Sequence, residues 1–248
     1  MLRSVKDLQG YTIHATNGEI GKVKEFLFDD QSWAIRYMVA DTGGWLTGRL
    51  VLISPNALKG SDWANEVLPV SLTKEQVENA PSIYEDQPVS RQYEADYHDY
   101  YGYPYYWGTA YAGLAPAYAP MVPAGAYTRG ADGRDGLSEA PIQQDQGDPH
   151  LRSTEEVTGY DIQARDGEIG HIDDFLVDDA SWRIESVVVA TRDWLPGKKV
   201  VIPSQAIQEV DWTQSHATVN MRRSDIESAQ EYDPAITSAP DRPAQLLL

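Results

Sequence analysis

The stretch GEIGKVKEFLFDD at residues 18–30 decides the fold, and it returns as GEIGHIDDFLVDD at residues 167–179. Apolar and polar residues alternate along both stretches, which is typical of a half-buried β-strand. Each stretch is entered through an Asn-Gly or Asp-Gly pair, at residues 17–18 and 166–167. These pairs favour a two-residue hairpin, because both central residues of a type I′ turn need positive φ. The sequence therefore predicts the same β-hairpin twice.

The two stretches belong to a long internal repeat. A shift of 149 positions aligns residues 2–80 with residues 151–229 without a gap, and 31 of the 79 aligned residues are identical. Self-similarity of this extent indicates two copies of one domain. We therefore predict a first domain at residues 1–81 and a second at residues 150–231.

Each copy is predicted to consist mainly of short strands. In the first copy, period-two patterns predict strands at residues 11–15, 20–28, 33–40 and 49–53, with shorter ones at 56–59 and 67–72. Thr73 and Gln76 form the pattern of a capping box, which predicts a short helix through Asn79 before Pro81. About eighty residues are too few for a two-sheet sandwich, so we expect a small closed β-barrel.

The segment between the copies has a different composition. Residues 82–149 are rich in Tyr, Pro, Gly and Ala, and 11 of the 15 tyrosines lie between residues 84 and 127. Such a sequence has many helix and strand breakers and few aliphatic residues to bury. It predicts a largely disordered linker, and residues 232–248 predict a flexible tail.

Charge and cysteine content exclude several functions. The chain carries 38 acidic and 20 basic residues, a formal net charge of −18. This charge argues against binding to nucleic acid or to anionic lipid, both of which need Lys and Arg. The chain has no cysteine, which excludes disulfides, thiolate nucleophiles and cysteine-bound metals. No secretory signal or membrane-spanning apolar run is evident, so we expect a cytoplasmic protein.

The repeated motifs resemble the PRC-barrel family, in its tandem, stand-alone bacterial type. The resemblance rests on residues 18–23 leading into residues 26–29, on Trp33 before an apolar strand, and on the helix at residues 73–81, and the second copy repeats the first two of these features. It implies a small β-barrel that acts as an adaptor, as in the cytoplasmic domain of the photosynthetic reaction-centre H subunit. The predicted fold is therefore mainly β: two PRC-like β-barrels, each ending in a short helix, joined by a Tyr/Pro/Gly-rich linker.

Several residue patterns could carry chemistry, but each has a structural explanation that we favour. The repeated glycines lack the context of a phosphate-binding loop and fit turns and close strand approach. With Trp33 and Trp182, we interpret them as structural: Gly18, Gly21, Gly167 and Gly170. The acidic pairs at residues 29–30, 173–174 and 178–179 lack the spacing of a calcium loop and fit turns. No nucleophile–histidine–acid set is evident, so we expect no catalytic, metal-binding or cofactor-binding residue.

Exposed aromatic residues are the best candidates for an interface, because Trp and Tyr are enriched at binding hot spots. Trp45 and Trp194 lie in breaker-rich connections, where they either complete the core or anchor a partner. The linker adds a second group that either binds a partner or serves as a spacer: Tyr100, Tyr101, Tyr103, Tyr105, Tyr106 and Trp107.

Together these observations predict a non-enzymatic adaptor or scaffold with two modules. It would bind other proteins or associate with itself, for example as a homodimer. The alternative is a stress-related protein that binds a metal or small molecule through its acidic turns.

Overall fold

A computed structural model describes residues 1–46, 48–81, 89, 91–106, 150–191 and 198–238. The chain divides into two compact units. The first contains both repeats, Met1–Ile83 and His150–Leu248, and the second is the segment between them, Tyr84–Pro149.

The described part of the chain is mainly β, as predicted. The first repeat contains, in order, β1 (Leu2–Ser4), α1 (Val5–Leu8), β2 (Thr12–Ala15), β3 (Gly18–Asp29), β4 (Ile35–Asp41), β5 (Leu50–Ile53), β6 (Val67–Pro69) and α2 (Lys74–Glu78). The second unit contributes α3 (Arg91–Tyr101). The second repeat contains β7 (Leu151–Ser153), α4 (Thr154–Val157), β8 (Asp161–Ala164), β9 (Gly167–Asp178), β10 (Arg183–Thr191), β11 (Lys199–Pro203), β12 (Ile207–Asp211), β13 (His216–Val219), α5 (Arg223–Glu227) and α6 (Ala235–Ser238).

Each repeat forms one sheet, and the two sheets have the same central order. The first runs β5-β4-β3-β2-β6 and the second β11-β10-β9-β8-β13-β12. The long strands β3 and β9 pair antiparallel with both of their neighbours, whereas β2–β6 and β8–β13 pair parallel. Ile13 and Ala15 are buried on one face of β2, as the alternation predicted.

The first strand of each repeat pairs with the sheet of the other repeat. Strand β1 lies antiparallel to β9, with Arg3 opposite Val177. Strand β7 lies antiparallel to β3, with Arg152 opposite Phe28. The two repeats therefore exchange their first strands, and neither sheet is complete without residues of the other repeat.

A second pair of backbone contacts joins the repeats around two tryptophans. The N–H of Ile35 donates to the carbonyl of Trp182 at 2.8 Å, and the N–H of Ile184 donates to that of Trp33, also at 2.8 Å. Both tryptophans have positive φ, 58° and 53°, and are nearly buried. The left-handed conformation costs free energy in a bulky residue, and it occurs here at the same position of both repeats.

Aromatic side chains fill the junction between the repeats. The rings of Phe26 and Trp182 stack with centroids 5.9 Å apart, and Phe28 lies 5.5 Å from Phe175 and 5.4 Å from Trp33. All five of these aromatic residues are more than nine-tenths buried. Burial on this scale stabilises the contact between the repeats through the hydrophobic effect.

Two carboxylates help to anchor the exchanged strands. The Ser4 hydroxyl donates to Asp174 of the second repeat, and the Ser153 hydroxyl donates to Glu25 of the first. Burial raises the pKa of both carboxyl groups, and the serine hydrogen bonds oppose that rise. Glu25 and Asp174 occupy equivalent positions, so the same serine–carboxylate contact forms in both directions between the repeats.

The shorter predicted strands need correction. Residues 56–59 do not form a strand: Pro55–Ala57 is a 3-10 turn, begun by Ser54, whose hydroxyl accepts from the N–H of Asn56. Strand β6 ends at Pro69, earlier than predicted, and the carbonyl of Leu72 accepts from the N–H of Thr16. The predicted capping box at Thr73 is present and begins α2.

The predicted linker also contains ordered structure. Residues 91–106 form α3 and a following turn, a helix that the sequence analysis did not anticipate. Apart from Val89, the rest of the segment 82–149 lies outside the described residues. In the predicted tail, α6 forms at Ala235–Ser238, and residues 239–248 lie outside the description.

Candidate protein-binding surface

Equivalent tryptophans of the two repeats have different surroundings. Trp63 of the first repeat lies beneath the Arg3 guanidinium, whose Cζ is 4.1 Å from the ring centroid, and 6.4 Å from the ring of Tyr11. Trp212 occupies the same position in the second repeat, yet its side chain is 59% exposed. Tryptophan is enriched among the hot-spot residues of protein interfaces. Trp212 is therefore the first candidate for a contact residue.

The turn that carries Trp212 is held by its neighbouring aspartate. Oδ1 of Asp211 accepts from the N–H groups of Thr213 at 2.8 Å and Gln214 at 3.1 Å, and from the Thr213 hydroxyl at 2.6 Å. These hydrogen bonds, led by that of the Thr213 hydroxyl, lower the pKa of Asp211. The carboxylate beside the indole therefore stays charged at neutral pH.

A cleft of 480 Å³ lies where the two repeats meet. Its residues are Asp30, Gln31, Trp33, His150, Arg152, Gln205, Ile207, Gln208, Glu209 and Val210. One wall is an ion-pair group, since Asp30 accepts from Arg152 Nε at 2.9 Å and from His150 Nδ1 at 3.0 Å. Three of the charged groups that line the cleft, those of Asp30, His150 and Arg152, are therefore already paired with one another.

Trp45, one of the predicted interface residues, is half-buried at the surface of the first repeat. The Nζ of Lys74 lies 4.2 Å from the centroid of its ring. A cation over the indole face covers part of the surface that a partner would use. Trp194, its counterpart, lies outside the described residues.

The predicted tyrosines pack largely against one another. Tyr97 is fully buried, and the rings of Tyr101 and Tyr103 lie 4.8 and 6.3 Å from it. The hydroxyls of Tyr105 and Tyr106 donate to Asp99 and Glu94 respectively, the first at 2.6 Å. Among the predicted tyrosines, Tyr100 and Tyr105 expose 43% and 41% of their surface. Trp107 lies outside the described residues.

The glycines that we interpreted as structural lie at two kinds of position. Gly18 and Gly167 have φ of 144° and 134° and begin β3 and β9 directly after the hairpin loops, which lie at residues 16–17 and 165–166, one residue earlier than predicted. A Cβ at Gly21 would lie 2.0 Å from the carbonyl oxygen of Asp41, and one at Gly170 would lie 2.1 Å from that of Ala190. Only glycine allows the strands to approach this closely.

The acidic pairs are engaged by donors from the protein. The Asp29 carboxylate accepts from Arg36 at 3.1 Å and caps the turn at Ser32, and Asp173 pairs with Lys199 at 2.8 Å and Lys6 at 3.1 Å. These donors, opposing burial, lower the pKa of both groups. Among the described residues, no group of three or more His, Asp or Glu side chains is arranged to hold a metal ion.

Comparison with known families assigns the fold. The model of the PRC-barrel domain matches residues 2–74 and again residues 151–225. The chain belongs to the PRC-barrel family. The tandem arrangement that the sequence motifs indicated is thereby confirmed. PRC-barrel domains are generally protein-interaction modules. A search of the curated proteins found no match.

Trp212 is the residue that the sequence analysis missed. In the sequence it looks equivalent to Trp63, because Asp-Trp occurs at residues 62–63 and 211–212 alike. A signal was available around it: Lys59 and Gly60 of the first repeat correspond to Gln208 and Glu209 in the second. A changed neighbourhood around an unchanged tryptophan indicates a position whose role differs between the repeats.

Proposed function

We propose that this protein is a non-enzymatic adaptor that binds other proteins through the surface around Trp212. The observation that carries the proposal is the exposure of Trp212, a residue that is 59% exposed where its counterpart Trp63 is half-buried beneath Arg3. Exposing an indole to water has a free-energy cost that binding recovers, and tryptophan is among the commonest hot-spot residues. The general role of PRC-barrel domains in protein interaction supports the same function.

The exchange of strands suits an adaptor because it fixes both repeats in one body. Strands β1 and β7 each belong to one repeat and complete the sheet of the other. A surface on such a body needs little reordering when a partner arrives, so less free energy is lost on binding. Because the two repeats are parts of one chain, they also need not carry the same binding surface.

The engagement of the acidic turns favours the adaptor over the metal-binding alternative. Carboxylates that already accept hydrogen bonds and ion pairs, such as Asp29 and Asp173, would have to give these up to coordinate a cation. No observation favours the small-molecule alternative. Among the described residues, no helix is both long enough and apolar enough to cross a membrane. A cytoplasmic location stays a prediction.

A photocrosslinking experiment tests the adaptor function. Benzoylphenylalanine replaces Trp212 in the full chain, and the matched control carries it at Glu168, an exposed residue of the same repeat. We expect irradiation in cells to link a discrete protein at position 212 but not at position 168. Linkage to a second copy would assign this surface to self-association. Absence of any product specific to position 212 would contradict the proposal.

A further inference from the structure

We infer that Trp212 binds an arginine side chain of the partner protein, and this inference rests on the proposed function. The first repeat shows the expected arrangement in completed form. There the Arg3 guanidinium lies over the Trp63 ring at 4.1 Å, while its Nε donates to Asp179 at 3.1 Å. The same indole position in the second repeat is open to solvent.

The second repeat does not cover Trp212 in the way that the first covers Trp63. Its equivalent arginine, Arg152, donates to Asp30 at 2.9 Å just as Arg3 donates to Asp179, but it lines the cleft between the repeats. Among the described residues, no cation–π or aromatic contact forms to the Trp212 ring. The indole face that receives an internal arginine in one repeat is therefore available to an external one in the other.

The charge around Trp212 also fits a cationic partner. Residues 207–215 include Glu209 and Asp211 and no basic residue, whereas the matching residues 58–66 include Lys59. Residues 151–248 carry 18 acidic and nine basic residues, whereas residues 1–80 are close to neutral, with ten and eight. Charge complementarity of this kind steers a basic partner toward the surface and repels nucleic acid and anionic membranes.

Arginine fits this surface better than lysine. Its planar guanidinium stacks on an indole and still donates hydrogen bonds at its edge, as Arg3 does to Asp179. Lysine offers a point charge on a flexible chain, and it is strongly hydrated. Cation–π pairs in proteins accordingly use arginine more often.

The test follows the indole N–H signals of the full-length chain by nuclear magnetic resonance. The spectrum of Trp212→Leu identifies the Trp212 signal by its loss. The probe is acetyl-Gly-Arg-Gly-amide, and its matched controls are the same peptide with citrulline or with lysine. The Trp63 indole, already covered by Arg3, is the internal control in every spectrum.

We expect the arginine peptide to shift the Trp212 signal saturably in the millimolar range, as befits a single contact. The citrulline peptide should bind at least several-fold more weakly, the lysine peptide should fall between them, and Glu209→Gln should weaken the response. An equal response to citrulline, or a response at Trp63 or Trp45 instead, would overturn the inference.

The two proposals can fail separately. A protein crosslinked at position 212, combined with no selective response to the arginine peptide, would overturn the arginine assignment and leave the adaptor function supported. A selective, saturable response with no crosslinked protein would support the arginine site and count against the adaptor function.

Discussion

At the scale of single residues, the two equivalent tryptophans make an internal comparison. Trp63 contributes packing and a cation–π contact to the folded state, whereas Trp212 is mostly exposed. Trp63→Ala should therefore lower the free energy of unfolding by about 1–3 kcal/mol. Trp212→Ala should change it by less than about 0.5 kcal/mol. Urea denaturation of both variants checks this, and a large loss for Trp212→Ala would place that indole in the core.

The two buried carboxylates predict how stability depends on pH. Burial raises the pKa of Glu25 and Asp174 above their ordinary values, so the folded state takes up protons more readily than the unfolded chain. Their contribution favours folding at low pH and is lost as the pH rises through their folded-state pKa values. The free energy of unfolding should therefore increase as the pH is lowered from neutral toward the ordinary carboxyl pKa values.

Other carboxylates limit this gain in stability at low pH. The pKa values of Asp29, Asp173 and Asp178 are lowered, so their contribution is present above the ordinary aspartate pKa and lost as the pH falls below it. A double variant, Glu25→Gln with Asp174→Asn, should gain less stability as the pH is lowered from neutral toward the ordinary carboxyl pKa values. Denaturant titrations at several pH values measure both profiles, and identical slopes would refute this assignment.

At the scale of elements, the serines of the exchanged strands have two tasks. Ser4 begins α1 by accepting from the N–H of Asp7 at 3.1 Å, and its hydroxyl also donates to Asp174. Ser4→Ala should therefore cost more than the loss of a helix cap alone, about 2–4 kcal/mol, because Asp174 loses a partner in a buried site. Thr73→Ala, which removes only the cap of the exposed helix α2, should cost about 1 kcal/mol.

A rescue experiment separates the two tasks of Ser4. Adding Asp174→Asn to Ser4→Ala removes the buried charge, so part of the lost stability should return. Ser4→Ala and Thr73→Ala could instead lower the free energy of unfolding equally, with no recovery in the double variant. That result would show that the serine acts only as a cap.

The elements also show what the sequence could predict and what it could not. The hairpin between β2 and β3 and the capping box at Thr73 were predictable because each depends on neighbours a few residues apart, although the hairpin loop is Thr16-Asn17, one residue earlier than predicted. Strand exchange was not predictable, because the repeat pattern is the same whether β1 pairs with the sheet of its own repeat or with the sheet of the other repeat. Helix α3 was missed because it buries Glu94, Tyr97 and His98 in place of the usual aliphatic stripe.

The sequence alone also could not show which aromatic rings are exposed at the candidate surface. Counting aromatic residues directed attention to the linker tyrosines, yet Tyr101 and Tyr103 stack on each other. Exposure depends on which neighbours fold over a ring, and Arg3 reaches Trp63 only in the folded structure. Comparing the two repeats residue by residue would have been the better guide, because it separates shared core positions from those with changed surroundings.

At the scale of the whole molecule, the division into two compact units predicts that the stability of the two-repeat unit does not depend on the second unit. Replacing residues 84–149 by a flexible Gly-Ser linker of equal length should leave the free energy of unfolding of the two-repeat unit unchanged within about 0.5 kcal/mol. Calorimetry of both chains checks this prediction. A fall of several kcal/mol would show that the second unit stabilises the first.

Exchange of the first strands also predicts that the repeats fold together. A chain of residues 1–83 alone lacks β7, and a chain of residues 150–248 alone lacks β1. When the two pieces are mixed, we expect a complex with one copy of each, seen by light scattering coupled to size exclusion. Two separate monomers, each with native-like resistance to proteolysis, would contradict this expectation.

The pairing of β1 with β9 has a consequence for synthesis on the ribosome. Leu2–Ser4 lie opposite Leu176–Asp178, so these residues find their partners only after some 170 more residues have been added to the chain. At translation rates of about 5–20 residues per second that delay is on the order of 10–35 s. During this interval the edge of β3 reserved for β7 is also unoccupied, and it is a place where a nascent chain would need protection by a chaperone.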